Sequence, residues 1–295
     1  MSKSATKCVV ITMGDPRGVG PEIILKALAR KDITRLGNFI LVGNRRLLGK
    51  QRHAIIDVSY RNAGEGSLKF LEKAVDLIKA GVADALVTAP LSKEAVSQYK
   101  KDFRGHTEYL AESFNVKDFD MMFVSPKMRL SLVTRHVALK DVSKMITKQA
   151  VFSSIELMHK TLKEQFGIAS PKIAVWGLNP HAGEDGLLGN EEIKQIIPAI
   201  KLAQQKGVKV KGPFSADTFF CHDKGFDGIV AMYHDQGLTP IKGMYFKDLV
   251  NFTAGLPFIR TSPVHGTALD IAGKGVADPS SMIAAIKLAF QLVPR

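Results

Sequence analysis

Short apolar runs alternate with amphipathic segments along most of the chain, and this alternation predicts the secondary structure. Eight runs of five or six residues have the length and composition of buried β-strands. They start at residues 8, 39, 84, 121, 129, 172, 228 and 249. Longer segments with apolar residues at helical spacing cover residues 21–30, 67–81, 148–167, 190–207 and 279–293. Strands that alternate with helices predict an α/β fold around a mostly parallel sheet.

Two neighbouring apolar runs, 121–125 and 129–134, are separated by only three residues and predict an antiparallel hairpin. The sheet should therefore be mixed. No internal repeat and no flexible linker marks a boundary in the 295 residues, a length that suits one large domain or two lobes. A second lobe would have to form from a chain that leaves the first lobe and later returns to it.

The composition, 45% hydrophobic and 23% charged, is that of an ordinary globular protein. No apolar run approaches the ~20 residues of a membrane helix, and no signal-peptide pattern precedes the first strand. Cys8 and Cys221 have neither metal-binding nor redox spacing, which suits a reducing compartment. We expect a cytoplasmic protein with no membrane partner.

The net charge of +13 raises the possibility of nucleic-acid binding. The basic residues are scattered, however, aromatic residues make up only 7%, and no zinc-finger or RNA-recognition signature is present. We expect a solvated basic surface that favours an anionic substrate, and no nucleic-acid partner.

The stretch MGDPRGVGPE, residues 13–22, joins the first predicted strand to the first predicted helix. Its glycines, Gly14, Gly18 and Gly20, do not have the G-x-G-x-x-G spacing of a dinucleotide-binding turn. Two interpretations remain open at this point: a tight strand-to-helix turn, or a loop that lines a ligand site.

Three histidines follow predicted strands: His136, His181 and His234, the last with Asp235 beside it. In open α/β sheets, ligands gather at the carboxyl ends of strands. Three imidazoles with an open position form a catalytic metal site of a common type. Isolated histidines are also common as surface or core residues, and both interpretations stay open here. His53, His159 and His222 lack this context and are expected to be structural or solvated.

Two further segments carry polar residues suited to anions. In FRGHTEYLAE, Gly105 precedes His106 and Thr107 at the start of a predicted helix, where Thr107 either contacts an anion or caps the helix. Nearer the C-terminus, Lys242, Asn251 and Arg260 are donors spaced along strand and loop, and they suit a phosphate or a carboxylate. The glycine-rich segment that follows them would let a ligand approach the backbone closely.

Six motifs together resemble the 4-hydroxythreonine-4-phosphate dehydrogenase family of pyridoxal phosphate biosynthesis. The resemblance runs from Met13 to the C-terminal helix, and its last part also resembles the cofactor loop of isocitrate and isopropylmalate dehydrogenases, whose fold the family shares. The motifs are MGDPRGVGPE, VTAPLSKEAV, GHTEYLAE, GLNPHAGEDGLLGNEE, MYHDQGLTPIK and GLPFIRTSPVHGTALDIAGKG. The chain departs from the family at Val264, where many members have Asp, and at Arg17, where a small residue is more common. The region between Leu48 and Ser67 also contains fewer residues than it does in the longer members of the family.

The resemblance implies a two-lobed isocitrate/isopropylmalate dehydrogenase-like fold with an interlobe active-site cleft, and a homodimer whose subunits share the active site. The lobes would comprise residues 1–105 plus 245–295, which hold the cofactor loop, and residues 106–244, which hold the metal ligands and the dimer contact. The implied ligands of a zinc, cobalt or magnesium ion are His136, His181 and His234. The implied substrate contacts are His106, Thr107, Lys242, Asn251 and Arg260. The implied NAD or NADP contacts are His265, Gly266, Thr267, Ala268 and Asp270.

The implied reaction is the oxidation of 4-phosphohydroxy-L-threonine to a β-keto acid, which loses CO₂ to give 3-amino-2-oxopropyl phosphate. Lys242 is the candidate for proton handling or ketone polarisation. Asp217 and Asp235 are candidates either for orienting the metal-bound histidines or for structural hydrogen bonds alone. A sister activity on D-threonate or D-erythronate 4-phosphate fits the same motifs. A metal hydrolase and a basic nucleic-acid binder are rivals from other classes, and they would show turnover without nicotinamide and salt-dependent binding, respectively.

Overall fold

The computed structural model describes residues 6–221 and 225–294, and His222 lies outside the described residues. All eight predicted strands are present, and so is the hairpin. Three strands were not predicted: β3, β8 and β11. The strands are β1 Cys8–Thr12, β2 Asn38–Gly43, β3 Ala54–Asp57, β4 Ala85–Thr88, β5 Asp120–Val124, β6 Arg129–Leu132, β7 Lys172–Trp176, β8 Lys209–Phe214, β9 Gly228–Ala231, β10 Val250–Ala254 and β11 Ile259–Pro263.

The five predicted helices are also confirmed, as α1, α4, α8, α9 and α11. A single π-helical turn, Glu192–Ile196, precedes α9, and no described helix has the length and apolar composition needed to cross a membrane. The helices are α1 Gly20–Leu28, α2 Lys31–Thr34, α3 Arg45–Leu48, α4 Ala63–Lys79, α5 Lys93–Tyr99, α6 His106–Ser113, α7 Leu139–Met145, α8 Lys148–Glu164, α9 Ile197–Gln205, α10 His234–Tyr245 and α11 Ser280–Leu292.

The first of two compact units comprises Met1–Lys117 and Phe246–Arg295. Its strands lie in the order β3-β2-β1-β4-β11-β10, and all neighbours are parallel except β10 and β11. Helix α11 packs on β11, where the Thr261 hydroxyl donates to the Ala285 carbonyl at 2.8 Å. The opposite face of β11 is thereby free to carry polar side chains toward other parts of the unit.

The second unit comprises Asp118–Tyr245, and its strands lie in the order β5-β6-β9-β7-β8. Strands β5 and β6 form the predicted antiparallel hairpin, whereas β6, β9, β7 and β8 are mutually parallel neighbours. The mixed, mostly parallel sheet expected from the sequence is therefore confirmed. The lobe limits taken from the resemblance stay a prediction.

Candidate active site

A buried arginine lies on β11 of the first unit, between β4 and β10. Arg260 is 2% exposed and donates from Nη1 to the Thr253 hydroxyl at 3.0 Å and from Nη2 to the Thr88 hydroxyl at 2.6 Å. Burial lowers the pKa of its guanidinium to about 10, an effect that the charge of Glu108 partly offsets. Arg260 therefore stays cationic at neutral pH, and its geometry is set by two threonines on the strands either side of it.

Asn251 lies on the same face of β10 as Thr253, because alternate residues of a strand share a face. Its Oδ1 atom is buried without a hydrogen-bond partner, and so is the Nε atom of Arg260. Buried polar groups are nearly always paired, so these two atoms indicate a missing polar partner. A donor and an acceptor on one face of the sheet suit a ligand that carries both an anion and a hydroxyl or amine.

His106 and Thr107 are the first two residues of α6, which has eight residues. Of the two roles left open for Thr107, helix capping is excluded: the N-cap is Gly105, no side chain caps the helix, and Thr107 is 4% exposed inside it. Burial lowers the pKa of His106 well below its ordinary value, and the charges of Arg260 and Lys93 lower it further. His106 is therefore neutral at pH 7 and can either donate or accept a hydrogen bond.

Lys93 lies beside the start of α6, and it was not among the site residues predicted from the sequence. A Cβ atom on Gly105, which has φ +153°, would meet Lys93 Cε at 3.1 Å and Glu108 Oε2 at 3.1 Å. The Lys93 ammonium has no hydrogen bond or ion pair among the residues that the structure describes. Lys93 is also the first residue of α5, where the helix dipole disfavours a cation. That unfavourable position, inside the motif VTAPLSKEAV, is the signal that could have found it.

In the second unit, His136, His181 and His234 follow β6, β7 and β9, which are adjacent and parallel. The three histidines therefore leave the same edge of the sheet, as predicted. The ring centroids of His136 and His234 are 5.7 Å apart, and Asp235 Oδ1 lies 2.7 Å from His234 Nδ1. A carboxylate on Nδ1 leaves Nε2 of His234 to bind a metal.

The structure assembles this metal site only in part. Within residues 6–221 and 225–294, no three His, Cys, Asp or Glu side chains stand close enough together to hold a metal ion. The chemistry of the donor set suits zinc or cobalt, and two of the three rings are neighbours, but the complete trio stays a prediction. His181 lies instead near Asp217, whose pKa is lowered chiefly by the Ser215 hydroxyl and, to a smaller extent, by His181.

Lys242 was expected on a strand or loop, and that placement is wrong, because it lies on α10. This helix begins at His234, and Lys242 stands about two turns further along it, half-buried. The apolar run that ends at residue 233 gave no indication that a helix would follow, since Gly237 and Pro240 both lower helix propensity.

The segment predicted to bind the cofactor lies against the opening glycine-rich turn. Val19 N donates to the Thr267 carbonyl at 2.9 Å, and a Cβ atom on Gly18 would meet that carbonyl oxygen at 2.9 Å. His265 Nε2 is buried without a partner, and a Cβ atom on Gly266 would meet no described atom within 4 Å. Ala268 has φ +43°, and Asp270 is exposed. An unpaired nitrogen beside open backbone suits a polar cofactor.

These features define an α/β protein with a buried site suited to anions and with no Rossmann fingerprint. A beta-decarboxylating dehydrogenase from Thermococcus kodakarensis has the same fold, with a TM-score of 0.51 at 14% identity over 96% of this chain and 81% of that one. That likeness concerns the fold alone, and it confirms the isocitrate/isopropylmalate dehydrogenase-like fold.

The chain belongs to the family described as pyridoxal phosphate biosynthetic protein PdxA, whose profile matches residues 35–289. A 4-hydroxythreonine-4-phosphate dehydrogenase from Sulfurihydrogenibium sp. is 41% identical over 315 positions, covering 96% of this chain and 98% of that protein. A protein from Oceanobacillus iheyensis, provisionally named a D-threonate 4-phosphate dehydrogenase, is 42% identical over 96% of this chain and 97% of its own.

The crystal structure of 4-hydroxythreonine-4-phosphate dehydrogenase from Klebsiella pneumoniae has a TM-score of 0.88 at 36% identity, covering 98% of this chain and all of that one. The chain is therefore a dehydrogenase of this family, as the motifs predicted.

Proposed function

We propose that this enzyme oxidises 4-phosphohydroxy-L-threonine with NAD or NADP, in the biosynthesis of pyridoxal phosphate. The observation that carries the proposal is the buried Arg260, held by two threonines with Nε unpaired, beside the unpaired Asn251 Oδ1. Relatives that match the chain almost end to end are named for a phosphorylated hydroxy-amino acid. Such a substrate offers the anions and the amine that these unpaired atoms require.

The chemistry is an oxidation followed by a decarboxylation. A bound nicotinamide would supply the acceptor for the carbon-bound hydrogen of the secondary alcohol, as hydride, while a base would take the hydroxyl proton. The resulting ketone is β to the carboxylate, so it accepts the electron pair released when CO₂ leaves. Protonation of the enol then gives 3-amino-2-oxopropyl phosphate.

Arg260, His106, Thr107 and Asn251 are assigned to binding the phosphate and carboxylate. The guanidinium of Arg260 carries permanent charge, whereas His106 is neutral in the free protein and serves as a hydrogen-bond partner. We add Lys93 to this group, because its ammonium is unpaired and lies beside Gly105. These residues would fix the substrate's orientation, which is a large part of catalysis.

Lys242 is assigned to proton transfer at the reacting hydroxyl and the ketone. His136, His181 and His234 would hold a zinc or cobalt ion, because imidazole nitrogens suit these metals better than magnesium. Such an ion would lower the pKa of an alcohol bound to it. Asp235 orients His234 through the 2.7 Å contact with Nδ1, and Asp217 serves the same purpose near His181. His265, Gly266, Thr267, Ala268 and Asp270 are assigned to the nicotinamide cofactor.

The protein is further proposed to be a cytoplasmic homodimer whose subunits share the active site. Several large apolar side chains of the second unit are exposed near the His181 segment, including Leu187 at 79%, Leu188 and Ile193. Exposed apolar groups in one neighbourhood favour an interface. A shared site predicts that specific activity falls on dilution, which enzyme assays over a range of protein concentrations would measure.

The deciding experiment follows nicotinamide reduction by absorbance, with purified enzyme and added divalent metal. Turnover of 4-phosphohydroxy-L-threonine, lost in His181→Ala, would support the proposal. The second candidate is the oxidation of D-threonate or D-erythronate 4-phosphate, which the 42% identical relative favours. Preference for either sugar acid would overturn the substrate assignment while keeping the fold and the dehydrogenase chemistry.

A further inference from the structure

The segment that carries His181 has an unusual backbone. Residues 181 to 185 all have positive φ: His181 +52°, Ala182 +55°, Gly183 +85°, Glu184 +43° and Asp185 +53°. Four of the five are not glycine, and each is disfavoured there because its Cβ crowds the following carbonyl. Such a run persists only if the surrounding structure imposes it, and strained backbone of this kind is concentrated at functional sites.

One buried carboxylate lies at the centre of this segment. Glu192 is 2% exposed, and its Oε1 accepts hydrogen bonds from the backbone amides of Leu178 and Asn179, both at 2.7 Å. Its Oε2 accepts from Asn179 Nδ2 at 2.8 Å. A buried carboxylate bonded by three donors is stable only in that arrangement, because loss of the donors would leave the charge unpaired.

The chain also closes on this carboxylate from both ends of the segment. A Cβ atom on Gly183 would meet Glu192 Oε2 at 2.8 Å, and one on Gly177 would meet Oε1 at 3.1 Å. Glycine at both positions lets the backbone pass directly against the carboxylate. His181 lies between these two contact points, so the carboxylate limits the paths that its backbone can take.

Glu192 is itself held by a local feature of the helix that follows. It begins a π-helical turn in which the Ile197 amide donates to the Glu192 carbonyl. Pro198, the second residue of α9, has no amide hydrogen to continue the ordinary α-helical pattern. The Gln195 side chain accepts from the Lys148 amide at 2.8 Å and ties the same turn to α8. π-Helical turns are frequent at functional sites.

We propose that Glu192 is a positioning residue that holds the left-handed segment in the conformation presenting His181 to the metal. This inference rests on the metal role given to His181 in the proposed function. The neighbouring Glu191 supports the same structure less directly, since it accepts from Asn179 Nδ2 at 2.8 Å and from the Ser143 hydroxyl at 2.5 Å. Glu192 is assigned no contact with substrate or metal; its role is to position the backbone of residues 177–183.

The first test measures metal affinity directly. Co²⁺ is titrated into metal-free protein and followed by its visible absorbance, in the native chain and in Glu192→Gln. Glutamine has the same shape, but its NH₂ group would face the amide donors that now bond the carboxylate. The segment would lose its support, so we expect Co²⁺ to bind ~10–100-fold more weakly. The matched control is Glu156→Gln, which removes an exposed carboxylate paired with Lys206 in the same unit and should leave Co²⁺ affinity unchanged.

The second test asks whether the left-handed backbone is the cause, and it does not require Glu192→Gln to fold. Asp185 is exposed, and it is replaced by Gly or by Ala; both remove the charge, but only glycine adopts positive φ without cost. We expect Asp185→Gly to bind Co²⁺ several-fold more tightly than Asp185→Ala. Where Glu192→Gln folds, the double variant Asp185→Gly/Glu192→Gln should regain part of the Co²⁺ affinity that Glu192→Gln loses. Fluorescence of Trp176, the single tryptophan, reports whether each variant is folded.

The outcomes separate this inference from the proposed function. Unchanged Co²⁺ affinity in a folded Glu192→Gln, or equal affinity of the two Asp185 variants, would overturn the role of Glu192 alone. No Co²⁺ binding by the native chain would overturn the metal site and this inference together. Altered Co²⁺ affinity without turnover of 4-phosphohydroxy-L-threonine would keep the inference and overturn only the substrate.

Discussion

Arg260 donates a 2.6 Å hydrogen bond to the Thr88 hydroxyl, and the two residues come from adjacent parallel strands 172 positions apart in the sequence. Arg260 is buried, so water cannot replace this hydrogen bond, and the Thr88 hydroxyl fixes the orientation of the guanidinium. Strand β11, which carries Arg260, also carries Thr261. The Thr261 hydroxyl points to the opposite face of the sheet and donates to the Ala285 carbonyl. Replacing Thr88 should therefore affect both substrate binding and stability, whereas replacing Thr261 should affect stability alone.

Thr88→Val should impair substrate binding as well as stability. It leaves one donor of a buried guanidinium unpaired, which costs about 1–3 kcal/mol in the free energy of unfolding. The KM for the phosphorylated substrate should rise ~10-fold, since a loss of 1.4 kcal/mol in binding corresponds to that factor. Thr261→Val should lower stability by a similar amount with KM unchanged. Equal KM effects in the two variants, measured by steady-state kinetics and urea unfolding, would argue against Arg260 as a substrate contact.

Lys93→Met should weaken substrate binding while slightly stabilising the fold. It removes an unpaired ammonium from the start of α5, a position that the helix dipole disfavours by about 0.3–1 kcal/mol. The expected result is a ~10-fold rise in KM, with kcat little changed, together with a small gain in thermal stability. The exposed Lys101, replaced by Met, should change neither. A Lys93→Met enzyme with native KM would exclude this residue from the site.

His106 should take up part of a proton when substrate binds at slightly acidic pH. Its pKa is lowered in the free protein by burial and by the charges of Arg260 and Lys93, and a bound phosphate would counter those charges. Calorimetric titrations at pH 6, in two buffers of different ionisation enthalpy, give the number of protons exchanged. We expect His106→Gln to lower that number by a fraction of one. An identical proton count in both proteins would contradict the contact between His106 and the substrate's phosphate.

Asp120 should make stability fall as the pH rises toward neutrality. Burial raises its pKa to about 7, despite Arg135 at 3.6 Å and the Met121 amide at 2.7 Å. An unfolded Asp titrates near ~3.9, so the folded state binds this proton more tightly, and the advantage is lost as pH increases through the folded pKa. Between pH 5 and pH 8 the native chain should lose on the order of 2 kcal/mol relative to Asp120→Asn.

Urea unfolding of both proteins at these two pH values measures that difference. Asp118→Asn, which changes an exposed carboxylate two residues away, is the control and should follow the native chain at both values. A constant difference between the native chain and Asp120→Asn would show that the Asp120 carboxyl is ionised throughout the range.

The three strands that were not predicted were missed for two different reasons. Strand β3 and most of β8 have exposed residues and lie at the ends of the strand orders, where apolar side chains are not required. Strand β11, by contrast, is fully buried, yet it reads Ile-Arg-Thr-Ser-Pro. Its polar side chains are accommodated because Arg260 finds Thr88 and Thr253, and Thr261 finds Ala285, partners that no local pattern identifies.

By itself, the sequence determined eight strands, five helices, the hairpin and the position of three histidines at strand ends. Those features follow from local periodicity, since a buried strand or an amphipathic helix needs a particular spacing of apolar residues. Only the tertiary structure decided that β6, β9 and β7 are neighbours, that Lys93 lies beside Gly105, and that the His181 segment is left-handed around Glu192. The first two depend on strand pairing and on contacts between residues apart in the sequence. The third depends on a backbone conformation that a buried carboxylate imposes. The spacing of residue types along the chain contains no information on any of the three.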